Sequence, residues 1–118
     1  MKTLFILLAF TVFSVSSAQS QTGSKKMITK TIKVYGNCGM CKTKIENTLS
    51  YTAGVKYGEW DVESKMLTVK FNPSKVSLEN IKKALAETGY DSDTHRATDK
   101  AYNNLHGCCK YERPKDKN

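Results

Sequence analysis

Two cysteines three positions apart lie between an alternating apolar run and an amphipathic helical pattern, in the segment GNCGMC at residues 36–41. The thiolates of Cys38 and Cys41 could bind one soft metal ion together, or the two thiols could join as a disulfide. The thiolate is the species that binds metal, and its pKa falls at helix N-termini and beside lysines. Because Cys41 opens the helical pattern and Lys42 and Lys44 follow it, we expect a lowered thiol pKa here.

The two-cysteine spacing also bears on which ion is bound. Soft thiolates favour Cu(I), and also Hg(II) or Zn(II), over hard ions. Two sulfurs give Cu(I) or Hg(II) a near-linear site that a partner protein can invade, whereas tetrahedral zinc needs four ligands. We therefore predict a metal site at Cys38 and Cys41 with Cu(I) as its first candidate, and a disulfide as the alternative. Met40 is a possible third soft ligand, although packing in the core is the role we expect.

The N-terminal residues have the composition of a secretory signal peptide, which we assign to residues 1–18. A basic start precedes an apolar run of 12 residues, and small residues follow up to Ala18. We expect cleavage near Ala18-Gln19 and a flexible leader over residues 19–27. The apolar run is shorter than the roughly 20 residues that a membrane-spanning helix needs. The sequence therefore predicts a periplasmic or secreted protein without a membrane span.

The charge and the motifs of the chain exclude several classes of function. The formal net charge is +8, from 19 Lys and Arg against 11 Asp and Glu, and the lysines are spread along the chain as on an ordinary solvated surface. The aromatic-glycine motif on which RNA-recognition domains stack bases is missing, so we expect no nucleic-acid partner. We find no paired carboxylates, Ser/His/Asp set or phosphate-binding glycine loop and predict that the protein is not an enzyme.

Hydrophobic periodicity predicts the order β-α-β-β-α-β within about 70 residues. Two helices of this length on one face of an antiparallel sheet indicate an α+β, ferredoxin-like βαββαβ sandwich. We expect Asn37 to be the N-cap of the first helix and Gly54 to close it, while Ser77 and Gly89 bound the second helix. The predicted strands cover residues 28–35, 55–62, 67–71 and 92–96. We place the domain at residues 28–96 and a short C-terminal helical extension at residues 97–118.

That extension contains a second cysteine pair, Cys108 and Cys109. The fourth strand is expected to run about 17 Å away from the first pair, and a helix over residues 99–106 to return about 12 Å. The second pair would then lie near the first and supply further metal ligands, with His106 as another candidate. Adjacent cysteines on an extended backbone do not easily reach one ion together, which favours one of the pair. The alternatives are a disulfide to the first pair, a separate metal site and inert thiols.

The sequence resembles the heavy-metal-associated domain family between about residues 28 and 96. The matching features are the strand before the loop, the CxxC of Cys38 and Cys41, Ile45-Glu46, Gly54-Val55, the LTVKFNP run at residues 67–73 and Gly89-Tyr90. The resemblance implies a non-enzymatic carrier or scavenger that passes its ion by thiolate exchange to a CxxC-bearing transporter or acceptor protein. It also implies that Tyr90 lies near the metal loop and shields it.

The family includes small copper chaperones and periplasmic mercury-binding proteins, so a mercury-binding function is one alternative. This loop is one residue shorter than the family's Gly-Met-x-Cys and lacks the Met that braces the loop in the family, a role that Met40 could take over. A thiol–disulfide redox protein is the other alternative, because CxxC at a helix N-terminus is also the redox arrangement. Against it, neither Pro73 nor Pro114 stands where thioredoxin-like proteins place their cis-proline.

Overall fold

Two helices pack on a three-stranded antiparallel sheet in the computed structural model, which describes residues 26–116. Strand β3 lies in the middle of the sheet, so the strand order is β1-β3-β2. The element order confirms the predicted α+β, ferredoxin-like fold. The elements are β1 (Ile28–Lys33), α1 (Gly39–Ser50), β2 (Val55–Trp60), β3 (Met66–Phe71), α2 (Leu78–Thr88), α3 (Asp99–Asn103) and a 3₁₀ turn (Gly107–Cys109).

One face of the sheet and one stripe of each helix form a single core. Strand β3 shows the strict alternation of a half-buried strand, because its second, fourth and sixth residues are buried and the others are partly exposed. On the helices the buried residues recur four positions apart, as the 3.6-residue period requires. The fully buried residues of these elements are Cys41, Ile45, Leu49, Trp60, Leu67, Val69, Ile81 and Leu85.

The helix boundaries agree with the predictions for α2 and differ for α1. Ser77 caps α2 by accepting a hydrogen bond from the Asn80 N–H at 3.1 Å, and Gly89 ends the helix with a φ of 114°. Helix α1 already ends at Ser50, so Gly54 is not its cap. The φ of 89° at Gly54 instead turns the chain into β2, a conformation that L side chains rarely adopt.

The predicted fourth strand at residues 92–96 is wrong. Ser92 makes one isolated bridge to Val34, beside the end of β1. The Ser92 N–H donates to the His95 carbonyl at 2.8 Å, and the His95 N–H donates to Ser92 Oγ at 3.2 Å. This tight turn bonds the backbone groups locally, so the segment leaves the sheet after a single pairing.

Buried polar contacts attach the C-terminal extension to the domain. The Arg113 guanidinium binds both carboxylate oxygens of the fully buried Asp91, at 2.8 and 2.9 Å, which raises the pKa of Arg113. The Tyr111 hydroxyl accepts from the Asp91 N–H at 2.8 Å and donates to the Gly89 carbonyl at 2.7 Å. The Tyr102 hydroxyl donates to the Tyr111 carbonyl at 2.6 Å. The extension is therefore folded onto the end of α2.

Within residues 26–116, every helix is too short or too polar to cross a membrane. The predicted signal peptide over residues 1–18 lies outside the described part of the chain, as does most of the leader that we expect after it.

Candidate metal centre

Cys38 is the N-cap of α1, a position that the sequence analysis gave to Asn37. Its extended backbone starts the helix, and its carbonyl accepts the N–H of Lys42 at 3.1 Å. The backbone N–H groups of Cys41 and then Met40 point at the Cys38 sulfur, and they lower the pKa of this thiol. Helix N-termini stabilise negative charge in this way because their first N–H groups have no partner within the helix.

Cys41 lies one turn further into α1 and is fully buried. Its sulfur is 4.0 Å from the sulfur of Cys38, and both thiols are free. The Cys41 thiol donates a hydrogen bond to Asn37 Oδ1 at 3.1 Å, so the Asn37 side chain supports the loop instead of capping the helix. The two predicted thiols thus form a pair with one half-buried sulfur and one buried sulfur.

The C-terminal 3₁₀ turn brings the second cysteine pair to the first. The sulfurs of Cys38, Cys108 and Cys109 all lie within 4.8 Å of one another. The sulfurs of Cys108 and Cys109 are 4.0 Å apart, and the Cys38 thiol is 3.4 Å from the Cys108 carbonyl, to which it can donate. The expectation that only one tail cysteine reaches the site assumed an extended backbone, whereas the turn directs both sulfurs to the same place.

Met40 is exposed, so the prediction that it packs in the core is wrong. Its side chain is 46% accessible, and its sulfur accepts a hydrogen bond from the Cys108 thiol at 3.4 Å. Met40 lies in the first turn of α1, directly after Gly39. Met40 therefore contacts the tail and cannot brace the loop from below.

Trp60 occupies the space beneath the loop, a role that the sequence analysis missed. A Cβ on Gly36 would lie 2.9 Å from two ring carbons of Trp60 and 3.2 Å from the Cβ of Cys41. The fully buried indole donates from Nε1 to the Val34 carbonyl at 2.9 Å, which fixes the ring. The only signal in the sequence was a lone tryptophan at the end of β2 together with a glycine at the start of the loop.

Hydrogen bonds are the leading causes of the lowered pKa of Cys38, and Lys42 is not among these causes, contrary to the expectation from its position. Its ammonium group donates to the Trp60 carbonyl at 2.9 Å and pairs with Glu46 at 2.5 Å. Glu46 raises the pKa of Lys42. The lysine thus links α1 to the end of β2, and the backbone N–H groups of α1 lower the pKa of the Cys38 thiol.

Tyr90 lies against the buried side of the thiol cluster. The side chain is fully buried, and the sulfurs of Cys41 and Cys109 are the polar neighbours of its hydroxyl. Within residues 26–116 this hydroxyl is the one buried side-chain oxygen or nitrogen without a hydrogen-bond partner. Burial raises the pKa of Tyr90 above its usual range, and burial also raises the pKa of Cys109 to about 12.

Comparison with known families shows that the heavy-metal-associated domain matches residues 24–91. The chain belongs to this family. The match includes the loop, both cysteines of the CxxC pair, Trp60 and Tyr90. It ends before the C-terminal extension, so Cys108 and Cys109 lie outside the family's common domain.

Proteins similar to this heavy-metal-associated domain protein include a copper chaperone, MerP and an ATPase domain. A copper chaperone CopZ of Staphylococcus epidermidis is 39% identical over 66 residues, which cover 55% of this chain and 97% of the chaperone. Oxidized MerP from Ralstonia metallidurans is 29% identical with a TM-score of 0.55, and the match covers 58% of this chain and 96% of MerP.

A third similar structure is the N-terminal domain of a potential copper-translocating P-type ATPase from Bacillus subtilis in the Cu(I)-loaded state. It is 25% identical, with a TM-score of 0.54, and the match covers 57% of this chain and 85% of that domain. All three similarities cover somewhat more than half of this chain and most of the other protein.

His106, the remaining candidate ligand, is exposed and precedes the 3₁₀ turn. Its carbonyl accepts the Cys109 N–H at 2.8 Å, so its backbone helps to form the turn. Its ring is not among the side chains that cluster within 4.8 Å in the described part of this heavy-metal-associated domain protein.

Proposed function

We propose that this protein carries or scavenges a soft metal ion, Cu(I) in the first place, and binds it through the thiolates of Cys38 and Cys41. The observation that carries the proposal is the thiol pair at the N-terminus of α1, with sulfurs 4.0 Å apart and with backbone N–H groups directed at Cys38. Two soft-metal–thiolate bonds of about 2.3 Å can bridge this separation without moving the helix.

Similar proteins support the choice of copper. The CopZ relative is named a copper chaperone, and the similar ATPase domain was solved in a Cu(I)-loaded state. Thiolates prefer Cu(I) over hard ions. Binding and release exchange protons and metal–sulfur bonds at the thiols, and the ion keeps its oxidation state. The protein would thus be a carrier without catalytic activity.

The exposed side of the site suits transfer to another protein. Cys38 is half-buried and the neighbouring Met40 is exposed, so an incoming thiolate can approach the ion from solvent. A partner with its own CxxC, such as the metal-binding domain of a transporter, would take the ion by stepwise thiolate exchange. If the predicted signal peptide is cleaved, this exchange takes place in the periplasm or outside the cell.

Cu(I) titration of the reduced protein under anaerobic conditions tests the proposal, with a chromophoric chelator as competitor. We expect one tightly bound Cu(I) per chain. Replacement of Cys38 by serine should lower the affinity by about 1,000-fold or more, and so should replacement of Cys41 in a chain whose Cys108 and Cys109 are also serine. Lys44→Ala, which changes a neighbouring residue of α1 without removing a sulfur, should leave the affinity unchanged. Equal affinities in all variants would refute binding at the CxxC pair.

Hg(II) is a second candidate because MerP is among the similar structures. Competition between Cu(I), Hg(II) and Zn(II) for the reduced protein, each buffered by a chelator, would rank the three ions. A preference for Hg(II) at matched free concentrations would replace copper in the proposal. Reduction of insulin by the metal-free protein would instead support the redox alternative.

A further inference from the structure

We propose that Cys108 and Cys109 join Cys38 in a three-thiolate site that retains the ion, an inference that rests on the proposed metal binding at the CxxC pair. The ion would first bind to Cys38 and Cys41 and then remain bound to Cys38 as the tail sulfurs replace Cys41, whose thiolate takes up a proton when its bond to the ion breaks. The ligand is a soft ion that accepts trigonal sulfur coordination, as Cu(I) does.

The spacing of the sulfurs fits trigonal coordination. Three sulfurs at about 2.3 Å from one ion lie about 4.0 Å apart when the three bonds are coplanar. The sulfurs of Cys108 and Cys109 are 4.0 Å apart, and the three sulfurs of the proposed site lie within 4.8 Å of one another. A change of at most about 0.8 Å in any sulfur–sulfur distance, from 4.8 Å to 4.0 Å, would therefore close the site.

The tail that supplies two of these sulfurs is held in place from both sides. Before the turn, Leu105 is buried in the core, and after it Tyr111 and Arg113 bond to the domain through buried groups. Cys109 itself has no accessible surface. The ordering of the tail is thus maintained by the fold, so little conformational entropy remains to be lost when the ion binds.

The buried hydroxyl of Tyr90 fits a metal-bound sulfur better than a thiol. This hydroxyl lies beside Cys41 and Cys109 and has no hydrogen-bond partner among residues 26–116. A thiolate bound to a metal is a stronger acceptor than a thiol, and a hydroxyl next to it can donate. Each of the three thiols releases its proton to solvent as its bond to the ion forms, and the ion keeps its oxidation state.

The expected consequence is retention. A partner that approaches from solvent must displace two sulfurs to remove the ion from a two-thiolate site, but three to remove it from a three-thiolate site. A protein with the tail cysteines should therefore release Cu(I) more slowly than its relatives that consist of the common domain alone. Slow release of the ion is the behaviour expected of a scavenger, whereas a protein that transfers its ion rapidly to a partner should release it quickly.

X-ray absorption of the reduced protein loaded with one equivalent of Cu(I) tests the site. We expect about three sulfurs around copper in the wild type, and about two in Cys108→Ser and in the double variant Cys108→Ser/Cys109→Ser. The affinity of the double variant should fall about 100-fold, or about 2.7 kcal/mol. Because Cys108 is exposed, its single replacement keeps the core intact. His106→Ala and Lys110→Ala flank the cysteines and serve as controls that keep every sulfur.

Different results of these experiments would overturn the tail site and the metal site at the CxxC pair. Two sulfurs in the wild type and an unchanged affinity in the double variant would overturn the tail site, while loss of binding in Cys38→Ser would leave the CxxC proposal standing. Two Cu(I) ions per wild-type chain in native mass spectrometry, with one lost in the double variant, would mean a separate tail site and would also overturn it. A wild type that binds no Cu(I) would refute the proposed function itself.

Discussion

The guanidinium of Arg113 makes two hydrogen bonds to the carboxylate of Asp91, which is fully buried and lies 22 positions earlier in the chain. Asp91 directly follows Tyr90, whose ring contacts the stacked ring of Tyr111 at 5.9 Å between centroids. The ion pair therefore ties the end of the extension to the residue next to the thiol cluster. We therefore expect the position of Cys109 to depend on this ion pair.

Removal of the Arg113 side chain should loosen the extension. Arg113→Ala leaves the carboxylate of Asp91 buried without its charged partner, an effect that typically costs about 3 kcal/mol or more. We expect a lower free energy of unfolding in urea and faster alkylation of Cys109 in the native, reduced protein, measured by peptide mass spectrometry. Lys115→Ala, which removes a nearby exposed charge, is the control. Unchanged protection of Cys109 in Arg113→Ala would contradict the role of the ion pair.

The contact between Gly36 and Trp60 gives a second prediction. A methyl group at Gly36 would lie 2.9 Å from the indole ring, and overpacking of this kind costs about 1–3 kcal/mol. Gly36→Ala should lower the free energy of unfolding by this amount. Gly39→Ala, where a Cβ meets nothing within 4 Å, should not.

The double variant Gly36→Ala/Trp60→Phe distinguishes steric conflict from loss of backbone freedom. The smaller ring gives the methyl group room, so the double variant should lose less stability than the sum of the two single variants. Chemical denaturation followed by circular dichroism measures all four proteins. Additive losses would show that the indole does not limit the size of residue 36.

Local patterns predicted the elements whose contacts are local. The alternation of Leu67, Val69 and Phe71 gave β3, and the hydroxyl of Ser77 and the glycine at position 89 gave both ends of α2. The fourth strand failed because a turn at Ser92 satisfies the backbone groups that a ladder would use. The start of α1 also differs from the prediction, because Cys38 is its N-cap and the Asn37 side chain accepts a hydrogen bond from the Cys41 thiol.

The part of the site that could be predicted is the part in which the spacing of residues along the chain alone brings two sulfurs together. The CxxC pair lies three positions apart at a helix start, so its two sulfurs must be near each other. The return of the tail depends on pairs such as Asp91 and Arg113, whose partnership no local pattern reveals. Hydrophobic periodicity likewise does not predict that Met40 is exposed or that the indole of Trp60 lies beneath the loop.

A pair of tyrosine variants tests the unpartnered hydroxyl of Tyr90. Tyr90→Phe removes a buried hydroxyl that makes no hydrogen bond in the metal-free protein, so the free energy of unfolding should stay within about 1 kcal/mol or rise. Tyr102→Phe is the matched control. It removes a hydroxyl bonded to the Tyr111 carbonyl and should cost about 1 kcal/mol.

For Cu(I) affinity we expect the opposite order of effects in the same two variants. If the Tyr90 hydroxyl donates to a metal-bound sulfur, Tyr90→Phe should weaken Cu(I) binding by about 10-fold or more, as loss of partners to metal ligands generally does. Tyr102→Phe should leave the affinity unchanged. A Tyr90→Phe protein that binds Cu(I) like the wild type would exclude the hydroxyl from the site.

The position of Lys42 and its contacts suggest different roles for this lysine. If its charge lowered the pKa of the Cys38 thiol, Lys42→Ala would slow alkylation of Cys38 at neutral pH. The ammonium group instead bonds to Glu46 and to the Trp60 carbonyl, and the backbone N–H groups of α1 lower that pKa. We therefore expect the pH profile of Cys38 alkylation, followed by peptide mass spectrometry, to keep its midpoint in Lys42→Ala. The melting temperature of this variant should fall, since the link from α1 to the end of β2 is lost. A midpoint that rises as in a free cysteine, with an unchanged melting temperature, would restore the electrostatic role to this lysine.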